Sequence, residues 1–104
     1  MTATPARFMQ SQALYTALGD ECRQTIIILL LRAGAARSVG EIAAQLELSQ
    51  LAVSYHLKSL RDTRLLTVER KGTQRRYALN TAEYAELLAP TRELVNLIAA
   101  CTVR

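Results

Sequence analysis

The 104 residues contain no tryptophan, one phenylalanine, one histidine and two cysteines. Each scarcity removes a class of protein. Cys22 and Cys101 are too few for a disulfide framework and have no CxxC spacing, so reduced thiols are expected. One histidine and two distant thiols cannot assemble a nucleophile, a base and an orienting group, so an enzyme is not expected. No apolar run approaches the roughly 18 residues of a membrane span, and the N-terminus shows no basic-then-apolar leader. A cytoplasmic protein without a membrane partner is the expectation.

What is present is half apolar by residue count, which is enough to fold. The length allows one domain, 1–104, whose core is modest enough that a subunit interface would help it. The net charge of +4 is unevenly spread: residues 49–79 hold seven Lys/Arg against two Asp/Glu, a local +5. A basic segment of this kind suits a polyanion.

That segment overlaps the most patterned stretch, 38–60. Ser38 followed by Glu41 is a capping box, in which hydroxyl and carboxylate satisfy orphan amide donors at a helix start. Ser49 offers a second N-cap eleven residues on. In the helix it opens, Val53, Leu57 and Leu60 keep one buried spacing, while Gln50, Ser54, Lys58 and Arg61 keep another on the opposite face. Two short helices with a tight connection make a helix-turn-helix, whose second helix would enter a DNA major groove.

The flanks read in order. Met9, Ala13, Leu14, Ala17 and Leu18 give a helix over 8–18, with Gly19 as its end. Ile26 to Leu31 is an unbroken apolar run. Periodicity alone allows a buried strand there; the Asp20 cap and the stop at Gly34 favour a helix buried on most sides. Over 65–80 the period becomes strand-like around Lys71, Gly72 and Thr73, which predicts a hairpin with Arg70, Lys71, Arg75 and Arg76 projecting from its tip. A last helical stripe, over 81–101, contains Tyr84, Leu87, Leu88, Leu94, Val95, Ile98 and Cys101 and is wider than one small domain needs; Pro90 predicts a kink or break within it. The fold class is therefore mainly α with a small β-hairpin.

Residues 18–80 resemble the ArsR/SmtB family of bacterial winged helix-turn-helix repressors. The resemblance is carried by LGDECR at 18–23, IAAQLELSQLAVSYHLKSLRDTRLL at 42–66 and ERKGTQRRYALN at 69–80. It implies a winged helix-turn-helix of four helices, a hairpin wing and a fifth helix, acting as a homodimer on a pseudo-palindromic operator in double-stranded DNA. The helices at 8–18 and 81–101 would be the dimerisation elements. The implied DNA contacts are Ser49, Gln50, Ser54, Tyr55, His56, Lys58, Arg61 and Arg64, and in the wing Arg70, Lys71, Thr73, Gln74, Arg75 and Arg76. Gln50, Ser54 and Tyr55 are the candidates for base readout, and the basic residues for phosphate. His56 occupies the family's S-x-H-L position.

Departures from the family pattern matter equally. Where soft-metal sensors carry Cys-x-Cys, this chain reads Arg37-Ser38-Val39-Gly40-Glu41; its last helix offers Glu83, Glu86 and Glu93 but no histidine. Carboxylates alone suit zinc poorly, so no metal and no cofactor is expected. Glu47 stands where relatives place a glycine of positive φ. Release from DNA would follow an unidentified effector or modification of Cys22 and Cys101, which otherwise read as small apolar fillers. The alternative is a winged-helix module that binds protein; the basic segment argues against it.

Overall fold

The computed structural model describes residues 3–101. Helices α1 (Ala3–Gln10), α2 (Gln12–Leu18) and α3 (Glu21–Ala33) lead to a short strand β1 (Arg37–Ser38) and helices α4 (Val39–Leu46) and α5 (Gln50–Asp62). A hairpin of β2 (Leu66–Lys71) and β3 (Gln74–Leu79) is followed by α6 (Tyr84–Leu87) and α7 (Ala89–Ala100).

The helix starts are chemically marked. The Asp20 carboxylate accepts from the Arg23 amide at 3.0 Å, and α3 ends on Gly34 at φ 63°, a left-handed position that costs glycine nothing. The capping box is complete: the Glu41 amide donates to Ser38 Oγ at 3.2 Å, and the Ser38 amide donates to Glu41 Oε1 at 2.8 Å. Ser49 Oγ accepts from the Ala52 amide at 3.1 Å to open α5. Between α4 and α5 the chain reverses through Glu47 at φ 56°, ψ 42°, where a side chain is strained.

These helices close on one core. Ile26 of α3, Ile42 of α4 and Val53, Leu57 and Leu60 of α5 are wholly buried, with Leu66 and Tyr77 of the hairpin sealing the side. Burial of each such side chain contributes about 1.5–3 kcal/mol. The wing root is tied to the end of α5 by Asn80, which is buried; its Nδ2 donates to the Arg64 carbonyl at 2.8 Å and its amide to the Leu65 carbonyl at 2.9 Å.

Four features differ from the sequence reading. The helix expected over 8–18 is two helices, because the Ser11 hydroxyl donates to the Arg7 carbonyl at 2.8 Å and the Ser11 amide turns to Phe8 instead. The helix expected to open at 81 begins later, since residues 81–83 are a turn; the break expected at Pro90 is present, with Leu88 separating α6 from α7 and Pro90 in the first turn of α7, where its missing amide costs nothing. The sheet has three strands, in the order β1-β3-β2, since Arg37 and Ser38 pair with Tyr77 and Arg76. Finally, the apolar run of α3 is two-faced. Ile26, Leu29 and Leu30 are buried, whereas Ile28 is 45% and Leu31 65% exposed.

The molecule is long, 54 × 25 × 22 Å, with a radius of gyration of 15.9 Å; a compact chain of this length would have about 13 Å. The length comes partly from α1 and α7, which are joined to each other. Arg7 of α1 pairs with Glu93 of α7, and the Tyr15 hydroxyl of α2 meets that of Thr91 in α7 at 2.6 Å. Met9, Val95 and Ile98 on these helices remain 67%, 57% and 65% exposed.

Glu47→Gly should remove the left-handed penalty and raise stability by up to about 1 kcal/mol, read as a higher urea midpoint at unchanged slope; a lower midpoint would show that the Glu47 side chain stabilises the turn. The Glu41 carboxyl is held below the usual carboxylate range, chiefly by the Ser38 amide and also by the Ser38 hydroxyl and Arg76. A depressed folded-state pKa gives stability that is present at neutral pH and lost as pH falls through the carboxylate range. Acid unfolding curves of Glu41→Gln should therefore be flatter than those of the wild type, and parallel curves would contradict this.

Candidate nucleic-acid interface

The rotation of α5 decides what it can touch. Burying Val53, Leu57 and Leu60 turns Gln50, Leu51, Ser54, Tyr55 and Lys58 outward, with Leu51 84% and Tyr55 63% exposed. The outward first turns carry an amide, a hydroxyl, a phenol and an aliphatic tip. These match the acceptors, donors and thymine methyl of a major groove. Lys58 Nζ lies 3.6 Å from Asp62 Oδ2 in an exposed pair, which is weak and easily exchanged for phosphate.

The wing lies beside this face. Gln50 of α5 and Gln74 and Arg75 of β3 line one groove of about 280 Å3, floored by Ser38, Val39 and Gly40. On the hairpin Arg70 is directly opposite Arg75, and both are exposed. Like charges across a strand pair are destabilising unless an anion joins them. Lys71, Thr73 and Gln74 complete an exposed tip, turned by Gly72 at φ 65°.

Other residues of the expected contact set have different surroundings. The Arg76 guanidinium donates to the Ala36 carbonyl at 3.0 Å and to Gln74 Oε1 at 3.2 Å, and lies 3.3 Å from Glu41 Oε1. It braces the wing against the start of α4 and does not project. Arg64, at φ 67°, pairs with Glu83 beyond the end of α5. Ser49 serves as the cap, and Arg61 is half-buried.

His56 faces inward, its side chain 15% exposed. Its Nδ1 accepts from Arg23 Nε at 3.2 Å and lies 3.9 Å from Asp20 Oδ1, while Arg23 sits 5.8 Å from the centroid of the Tyr55 ring. The histidine thus joins the start of α3 to α5. Asp20 is held below the usual carboxylate range, first by the Arg23 amide and then by the charges of His56 and Arg23.

Sequence reasoning missed two things. Leu51 is the one large aliphatic residue of α5 outside the Val53, Leu57, Leu60 stripe, and that misplacement was its available signal. The second is that Asp20, Cys22 and His56 converge, which no local spacing reveals. Both cysteines are free; Cys22 is half-buried and Cys101, at the end of α7, is exposed and so is not a core filler in this chain.

A helix-turn-helix with a solvent-facing second helix and a basic hairpin beside it defines a winged helix-turn-helix DNA-binding domain. The model of the bacterial regulatory protein, arsR family, matches residues 22–68. The arsenical resistance operon repressor of Bacillus subtilis is 39% identical over 75 residues, which is 72% of this chain and 70% of that protein. Among solved structures, reduced HlyU from Vibrio cholerae aligns with a TM-score of 0.70 at 29% identity, over 97% of this chain and 100% of that one. A homodimeric winged helix-turn-helix DNA-binding domain from Mycobacterium bovis aligns at 0.68 and 28%, over 91% and 82%. The chain belongs to the ArsR family of bacterial transcriptional regulators.

Two arginines one residue apart should behave differently. Arg75→Gln should weaken binding to all DNA sequences alike and reduce the slope of log affinity against log salt by about 1, with stability unchanged. Arg76→Gln should instead lower the unfolding midpoint, having lost Glu41 and the Ala36 carbonyl. Equal effects of the two on affinity and stability would overturn this division.

Proposed function

We propose that the chain is a dimeric repressor that binds a pseudo-palindromic operator, with α5 reading bases and the wing on the backbone. The observation that carries this reading is the shared groove of Gln50, Gln74 and Arg75, which brings base-reading and phosphate-binding chemistry onto one side of the domain. Gln50, Leu51, Ser54 and Tyr55 are assigned to base edges, and Lys58, Arg70, Lys71 and Arg75 to phosphates.

Dimerisation is assigned to α1 and α7. Their exposed Met9, Val95 and Ile98, and the elongation that leaves them beyond the helix-turn-helix core, suit a second copy. The Mycobacterium bovis domain that aligns with this chain is homodimeric, which supports a dimer. A two-fold dimer places two α5 helices in successive major grooves, so half-sites lie about one helical turn or a small multiple apart. Release follows from any effector or thiol modification that favours a dimer geometry in which this spacing is wrong.

Footprinting of the reduced protein on DNA upstream of its own gene tests the reading. Protection of a two-fold symmetric site is expected, with affinity falling steeply as salt rises. A salt-insensitive interaction, or protection of one half-site by a monomer, would overturn it and favour a protein-binding winged-helix module.

A further inference from the structure

One ligating atom each of Asp20, Cys22 and His56 lies within 4.8 Å of the other two, and all three side chains are partly accessible. A carboxylate, a thiol and an imidazole are donors that zinc and similar borderline-soft ions accept, with a fourth position left to water. Tetrahedral coordination by such donors brings them to about 3.3–3.6 Å from one another, so small rotations of the side chains suffice. Asp20 and Cys22 are fixed by the first turn of α3, and His56 comes from α5, so the group is held from two elements.

The atoms are in a suitable state. His56 Nδ1 accepts a hydrogen bond from Arg23 Nε, so a lone pair on that nitrogen faces the group. Asp20 uses Oδ1 for the Arg23 amide and keeps further lone pairs. Cys22 also lines a surface pocket of about 200 Å3 with Glu21, Thr25, Leu46 and Leu48, so its side chain is reached from solvent. The Arg23 guanidinium opposes a cation, since it holds the same lone pair. The site therefore selects ions that gain enough from the thiolate bond to displace it.

We propose that Asp20, Cys22 and His56 form a binding site for a thiophilic divalent cation of the zinc class, and that its occupation exchanges the Arg23 side chain off His56. On binding, the Cys22 thiol gives its proton to solvent and the sulfur and His56 Nδ1 each donate a lone pair to the ion. Freed from His56, Arg23 loses the position in which it covers the Tyr55 ring. The ion thereby acts on the outward face of α5; this regulatory half rests on the function proposed above, whereas the site itself does not.

Cobalt(II) serves as the probe, since its thiolate complexes absorb where the free ion does not. Titration of the reduced full chain should give a sulfur-to-cobalt charge-transfer band that saturates at one ion per chain and is displaced by zinc. The band should be lost in Cys22→Ser and retained in Cys101→Ser. Asp20→Asn should weaken binding while keeping the helix cap, because asparagine caps as well as aspartate. No band, or one that depends on Cys101 and not on Cys22, would overturn the site. Zinc should then change the operator affinity of the wild type by about fivefold or more and leave that of Cys22→Ser unchanged. An intact band with no change in affinity would overturn the regulatory half. Failure of the metal-free protein to bind any DNA would instead count against the repressor reading and leave the site to be judged by the band alone.

Discussion

The burial of Val53, Leu57 and Leu60 against Ile26 and Ile42 is the constraint on which the rest depends. A helix of thirteen residues has one free rotation about its axis, and three fully buried side chains at i, i+4 and i+7 fix it. Truncating one of them, as in Leu57→Ala, costs about 2–5 kcal/mol, so the orientation of α5 is stable against most changes on its far side. That far side is consequently free of packing constraints from the core. Leu51, 84% exposed, has no packing reason to be apolar.

The charged residues divide by what they already hold. Arg23, Arg64 and Arg76 have structural partners in His56, Glu83 and Glu41, and these join α3 to α5, the end of α5 to the chain before α6, and the wing to α4. Arg70, Lys71 and Arg75 are exposed on the hairpin, with two of them set directly across from each other. A strand pair gains nothing from that placement by itself. The repulsion is a cost of the free protein which a bound phosphate would reverse.

Legibility followed the range of the interactions. Capping at Ser38, Ser49 and Asp20, the stripe of α5, the Gly34 stop and the Pro90 break are local, and each was readable from residues a few positions apart. Even the positive φ of Glu47 was anticipated, from the glycine that relatives place there. Contacts between distant segments were not legible. The pairing of Arg37 and Ser38 with β3 is too short to show a period, the partners of Arg64 and Arg76 lie far off in sequence, and Cys22 gains its meaning only when α5 brings His56 to it. The split at Ser11 was missed for another reason: a serine back-bonding to its own helix keeps the apolar spacing intact while breaking the backbone ladder.

The central claim is that base identity is read by the outward first turns of α5 and by nothing on the wing. Selection of binding sites from a random DNA pool tests it most directly, using the wild type, Gln50→Ala, Ser54→Ala and Arg75→Gln. The account predicts that the two α5 variants alter the preferred bases at defined positions of each half-site, while Arg75→Gln returns the wild-type preference at lower yield. An altered preference for Arg75→Gln with unchanged preferences for both α5 variants would contradict it.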